Sequence, residues 1–158
     1  MNLEFDKLVE ISAAFNREDV EYMLVGGGAV NLHGIGRDTE NLDSFIRATV
    51  ENVERTKRAL RSIWNDPSID EIDAEDVCRE FPIVRYGPPD VDYYIDLMSG
   101  VGEMFRYDDL EAETHDVEGV PIRVATPLTL YRMKHDTVRP KDRIDADMLR
   151  RKFNLKVD

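Results

Sequence analysis

Three consecutive glycines, Gly26-Gly27-Gly28, follow the apolar run Tyr22-Met23-Leu24-Val25. A strand that stops in glycines and turns into a helix start brings backbone N–H groups close to whatever sits there, with no Cβ in the way, and such a turn suits a phosphate. It is not a P-loop, because no Gly-Lys-Ser or Gly-Lys-Thr follows at the required spacing. By itself a glycine-rich turn is more often only a tight turn. About fifteen residues on, a second apolar run carries Asn41 and Asp43, and a later one carries Asp96 within Tyr94-Ile95-Asp96-Leu97. On a strand, Asn41, Asp43 and Phe45 share one face while Leu42, Ser44 and Ile46 share the other. Carboxylates converging from neighbouring strands are what Mg²⁺ needs, since it takes hard oxygen ligands and leaves positions for water and substrate phosphates. Two such ions can clamp the attacking and leaving oxygens of an in-line phosphoryl displacement.

The elements that must position these groups follow from period and punctuation. Leu3, Leu8, Ile11, Ala14 and Phe15 mark an amphipathic helix to about Arg17. Val20 to Val25 reads as a strand, Ala29 to His33 as a short helix, and Asn41 to Ile46 as the next strand. Residues 50–64 form a helix that Asp66-Pro67 ends, and the acidic stretch Asp70 to Asp76 is a solvated turn and short helix. Ile83 to Tyr86 and Val91 to Met98 are strands joined across Gly87-Pro88-Pro89, which would put Asp90 and Asp92 on the strand face of Asp96 as an acidic rim. Ala112 to Val117 and Val120 to Val124 make a hairpin about Glu118-Gly119. Thr126 caps a helix with Pro127 in its first position, and helices at about 127–138 and 141–153 close the chain. The expectation is a single domain over residues 1–158, α/β (α+β) in class, with a mixed β-sheet flanked by helices.

The chain carries 33 acidic against 21 basic residues, which disfavours a large nonspecific nucleic-acid platform. From Pro127 onward nine residues are basic and five acidic, so the C-terminal helices form a basic island on an acidic body. Solvated helix faces account for this as readily as a phosphate-facing surface. A single cysteine, Cys78, forms no internal disulfide and suits a reducing compartment. With no apolar run of about 18 residues, a cytoplasmic location and no membrane partner are expected. His33, His115 and His135 are too scattered to suggest zinc. Tyr93-Tyr94 reads as aromatic packing.

The stretch Leu24-Val25-Gly26-Gly27-Gly28-Ala29-Val30-Asn31-Leu32-His33-Gly34, followed by Arg37, Thr39 and Asn41-Leu42-Asp43, resembles the Gly-Gly and Asp-x-Asp signature of the nucleotidyltransferase superfamily, and is similar to its AbiEii-type toxin members. Tyr94-Ile95-Asp96-Leu97 resembles the third-carboxylate strand of that family. Thr126-Pro127 with Lys134, then Arg139-Pro140-Lys141-Asp142 and Asp145, resembles its C-terminal helix pair. The resemblance covers about residues 20–153. It implies the nucleotidyltransferase fold, an NTP such as ATP as substrate, and Mg²⁺ or Mn²⁺ as cofactor. It further implies that Gly26 and Gly27 position the triphosphate, that Asp43 binds metal, and that Asp96 binds metal or takes the acceptor hydroxyl's proton. Lys134 would contact phosphate and stabilise charge growing on the leaving pyrophosphate. Arg37 would assist from the loop before the strand, and Asp142 would orient Lys134 or that loop.

Asn41 departs from the pattern, which expects a carboxylate there. An amide offers one neutral oxygen, so metal affinity should fall. Glu40 points to the opposite strand face, and Asp38 lies in the preceding turn. Three accounts stand: a degenerate enzyme, an inactivated variant, or a branch that works with two carboxylates. The function expected is therefore transfer of NMP from an NTP to a hydroxyl acceptor, on tRNA or protein, with an antitoxin partner if the chain is a toxin. The alternative is a non-catalytic nucleotide-binding, RNA-binding or protein-interaction module of the same fold.

Overall fold

The alternating runs close into one six-stranded mixed sheet whose strands, numbered in chain order, lie side by side as 3-4-2-1-6-5. A computed structural model describes residues 5–36, 41–79, 83–100, 105–135 and 137–157. Its elements are α1 (Phe5–Arg17), β1 (Tyr22–Val25), α2 (Gly26–Leu32), β2 (Asn41–Ile46), α3 (Val50–Ile63), α4 (Ala74–Arg79), β3 (Ile83–Tyr86), β4 (Tyr94–Met98), β5 (Ala112–Val117), β6 (Val120–Ala125), α5 (Pro127–Lys134) and α6 (Pro140–Lys152). Strands β1 and β2, β3 and β4, and β5 and β6 pair antiparallel, while β2 with β4 and β1 with β6 are parallel. This is the α+β architecture expected from the pattern.

Strand β1 is buried along its whole length, which is why its sequence is continuously apolar rather than alternating. Ile11 and Phe15 of α1 and Val53 and Leu60 of α3 are fully buried in the same core. Helix α1 packs on α3 and β6, α2 on β1 and β2, and α5 on α6. Helix starts are set by side chains. Thr49 accepts from the Asn52 N–H at 3.1 Å to open α3. Thr126 accepts from the Thr129 N–H at 3.2 Å to open α5, with Pro127 next, as the sequence predicts.

Four boundaries differ from the sequence reading. The glycines are not a loop before a helix; they are the first turn of α2. Strand β1 starts at Tyr22 rather than Val20, because Asp19 turns back at φ 55° and the Val20 N–H still bonds the Phe15 carbonyl of α1 at 3.0 Å. Strand β4 starts at Tyr94, since Asp90 adopts φ 63° in the preceding turn. Asp90 and Asp92 therefore precede the strand and do not share its face with Asp96. Helix α5 ends at Lys134, where the Thr137 N–H bonds the Lys134 carbonyl at 3.4 Å and the chain turns into α6.

One buried amide ties the entrance of β1 to the exit of β2. Asn52 is 1% exposed; its Oδ1 accepts from the Glu21 N–H at 2.8 Å, and its Nδ2 donates to the Glu21 and Arg47 carbonyls at 3.0 Å each. Asn52→Ala leaves these backbone groups unpartnered. It is expected to cost about 2 kcal/mol or more, read as a lower urea midpoint with an unchanged m-value. Among the described residues no helix is long and apolar enough to cross a membrane.

Candidate active site

Parallel pairing of β2 with β4 sets Asp43 opposite Asp96 and Asn41 opposite Tyr94. In-register neighbours project to one face of a sheet, so the two carboxyls stand side by side. Asp43 is pushed up to about 7, first by burial, then by the negative charge of Asp96 and a hydrogen bond with it. Lys134 and Arg85 act the other way but do not cancel the effect. A closely spaced carboxyl pair with its charge poorly solvated is a hard-oxygen donor set, and it fits Mg²⁺ or Mn²⁺.

Gly26 makes room for this pair. It adopts φ +68°, and a Cβ there would overlap the Asp43 carboxylate, coming within 2.9 Å of its Cγ. Its φ also lies in the region that L side chains avoid. Gly27 beside it is part-exposed, and no side chain caps the start of α2. Gly28 has a different purpose, since a Cβ there would meet Leu8 Cδ1 of α1 at 3.3 Å.

Arg85 is the residue that sequence reasoning missed. It lies opposite Asp96 in the β3–β4 register. Its Nε donates to Asp96 Oδ1 at 2.9 Å and its Nη2 to Oδ2 at 3.1 Å, while the guanidinium lies 4.7 Å from the Tyr94 ring centroid. Asp96 is buried, whereas the Arg85 side chain is 54% exposed. A charge in the middle of Ile83-Val84-Arg85-Tyr86 was the available signal, and the pairing register that sets it against Asp96 appears only in the fold.

Asn41 stands at the start of β2, and its Oδ1 accepts from the Tyr94 N–H at 3.2 Å. Because an N–H only donates, one of the two lone pairs on the single oxygen Asn41 offers is turned to β4. Lys134 is 8% exposed; its Nζ donates to Asp142 Oδ1 at 3.3 Å and to Asp145 Oδ2 at 3.1 Å. Asp142 Oδ2 in turn accepts from the Thr137 hydroxyl at 2.9 Å. The α5–α6 pair thus holds Lys134 rigidly, and its charge reaches Asp43. Gly26, Asp43 and Asp96 converge, with Lys134 and Asp142 as a second, electrostatically linked group, while the Asn41 side chain meets the backbone of β4. Arg37 lies outside the described residues, as do Asp38, Thr39 and Glu40.

The histidines also differ from the sequence reading. Folding brings His33 and His115, 82 positions apart in the chain, to a ring-centroid distance of 5.0 Å. Burial pushes the His33 imidazole below its ordinary value, against the opposing hydrogen bond to the Ala125 carbonyl.

No family model and no curated protein sequence matches this chain. Solved structures do. The lincosamide antibiotic adenylyltransferase LnuA, in its lincomycin-bound crystal structure, superposes with a TM-score of 0.60 at 16% identity, covering 95% of this chain and 98% of that one. ANT(2")-Ia in complex with adenylyl-2"-tobramycin gives 0.57 at 11% identity over 94% and 88% of the two chains. A Thermotoga maritima protein assigned as a nucleotidyltransferase gives 0.56 at 12% identity over 94% and 91%. The fold is that of the nucleotidyltransferases.

Proposed function

We propose that this chain transfers the nucleotidyl group of an NTP to a hydroxyl acceptor at the Asp43–Asp96 pair. The observation that carries the reading is the in-register apposition of these two carboxyls beneath a glycine whose missing Cβ leaves room for them. Asp43 and Asp96 would hold Mg²⁺ or Mn²⁺, which supplies charge neutralisation on the phosphates when bound. The part-exposed Gly26-Gly27 turn receives the triphosphate through backbone N–H groups. Lys134, fixed by Asp142 and Asp145, places a positive charge where the leaving pyrophosphate gains negative charge. The acceptor oxygen forms a bond to the α-phosphorus, the bond to the bridging oxygen of pyrophosphate breaks, and the acceptor's proton passes to Asp96. Arg85 must first turn from Asp96 toward a phosphate oxygen, which its exposed side chain permits.

A second reading is a non-catalytic nucleotide-binding module, favoured by the hydrogen bond of Asn41 to the Tyr94 backbone. The two separate in one assay. Each of the four α-labelled NTPs is incubated with Mg²⁺ and either total tRNA, protein extract, or lincomycin and tobramycin, the antibiotics named for the structural neighbours. This chain is run beside Asn41→Asp. An aspartate at position 41 keeps an oxygen for the Tyr94 N–H and adds a charged oxygen at the start of β2. Transfer is therefore expected to rise about tenfold or more with Asn41→Asp, as one extra charge-assisted contact allows. Label on tRNA would direct attention to a toxin role with a neutralising protein partner. Magnesium-independent nucleotide binding with no label from either protein overturns the catalytic reading.

A further inference from the structure

Away from the carboxyl pair, a second group of metal-ligating side chains comes together from two distant parts of the chain. Glu113 and His115, two positions apart on β5, point to one face, and His33 meets them from the end of α2. One ligand atom from each of His33, Glu113 and His115 lies within 4.8 Å of the others. His115 Nε2 is 3.6 Å from Glu113 Oε2. We propose that His33, Glu113 and His115 form a binding site for a divalent transition-metal ion of the Zn²⁺ class.

The chemistry of the three donors suits that class. Two imidazoles and one carboxylate, with a fourth position left for water, are a common donor set for Zn²⁺, whereas Mg²⁺ prefers oxygens throughout. A backbone contact fixes the tautomer of His33. Its Nε2 is 2.8 Å from the Ala125 carbonyl, which can only accept, so Nε2 carries the proton and the lone pair lies on Nδ1. A ligating histidine that donates its other ring N–H to a carbonyl is held in both tautomer and orientation. The two β5 ligands can adjust: the Glu113 side chain is 46% exposed and that of His115 25%. Metal–ligand distances near 2.0–2.1 Å require the donor atoms to draw together by only about 1–2 Å, within the range of side-chain rotation.

One group opposes the cation. Lys152 extends toward the turn after His33, where a Cβ on Gly34 would collide with its Nζ, and its charge acts on His33. Lys152 is exposed and unbranched, so it can swing into solvent as an ion enters. Once bound, the ion would pin the edge strand β5 to the end of α2, the helix whose first residues are Gly26 and Gly27.

Co²⁺ reports a tetrahedral site through its visible d–d absorption, and Zn²⁺ through a rise in Tm. Titration of the Asp43→Asn protein, in which Asp96 is the one carboxyl left of the pair, weakens cation binding there and keeps the two sites distinguishable. The expected result is one equivalent of Co²⁺ with tetrahedral absorption, displaced by Zn²⁺, lost in His115→Ala and Glu113→Gln, and tightened in Lys152→Gln. Circular dichroism checks that His115→Ala is folded. Absence of tetrahedral absorption in the parent protein overturns the site, as does absorption that survives both ligand substitutions.

Discussion

Asp43→Asn is expected to abolish nucleotidyl transfer and, at about pH 8, to raise Tm. The carboxyl ionises at 3.8 in the absence of the fold and at about 7 within it, so the native state favours its protonated form. The stability associated with that proton is fully present below ~pH 4 and is lost as pH rises through 7. Three pH units correspond to ~4 kcal/mol at most; relaxation of the coupled pair reduces this to a few kcal/mol. An amide of the same shape has no charge to desolvate, so Tm should rise by about 5 °C or more at pH 8. The difference should shrink as pH falls below 7 and vanish only below about pH 4, where Asp43 is protonated in the folded and the unfolded chain alike. Millimolar Mg²⁺ added together with an NTP should raise Tm of the parent well beyond its effect on Asp43→Asn. A variant less stable than the parent at both pH values would show that the Asp43–Asp96 contact is cohesive and not a strained cation site.

Gly26→Ala carries the other large effect. The new methyl meets the Asp43 carboxylate and must be held at φ +68°. Left-handed backbone costs about 1–2 kcal/mol for an alanine, and displacing a packed side chain adds about 1–3 kcal/mol. Transfer should fall about a hundredfold or more, since a 1 Å displacement of a reacting group has that effect. A double-mutant cycle with Asp43→Ala isolates the collision: with the carboxylate gone the clash is relieved, and Gly26→Ala costs less in the Asp43→Ala background than in the parent. Additive costs would place the whole effect in the backbone angle of Gly26. Urea unfolding of the four proteins provides the measurement.

The sheet was legible because its signals are local. Strand β1 is a continuous apolar run, β2 alternates around Asp43, and Thr126-Pro127 opens α5 by cap chemistry that needs no knowledge of the rest of the fold. Asp43 and Asp96 were recognisable because each places a charge inside an otherwise apolar strand. Arg85 was not, because its meaning depends on a pairing register across a turn, which residue types alone do not fix. Asp90 and Asp92 were misplaced for a related reason: alternation continues backward from Asp96 in the sequence, but the positive φ at Asp90 ends it. His33 and His115 lie beyond local reading altogether. Their proximity requires that α2 end beside the β5–β6 hairpin, a fact of topology that no spacing between 33 and 115 encodes.

The grip of Arg85 on Asp96 makes the charge of the hollow conditional. With the guanidinium seated on both oxygens, the hollow is close to electrically balanced and offers a free cation little reason to enter. Once the guanidinium turns outward over the Tyr94 ring's edge of the sheet, two neighbouring carboxyls are left facing each other and attraction for a cation is restored. An anionic guest that draws Arg85 away therefore creates the demand for its own counterion. Guest and counterion should then enter as a neutralised pair, each weak alone, and mixed titrations should show binding stronger than the sum of the separate ones.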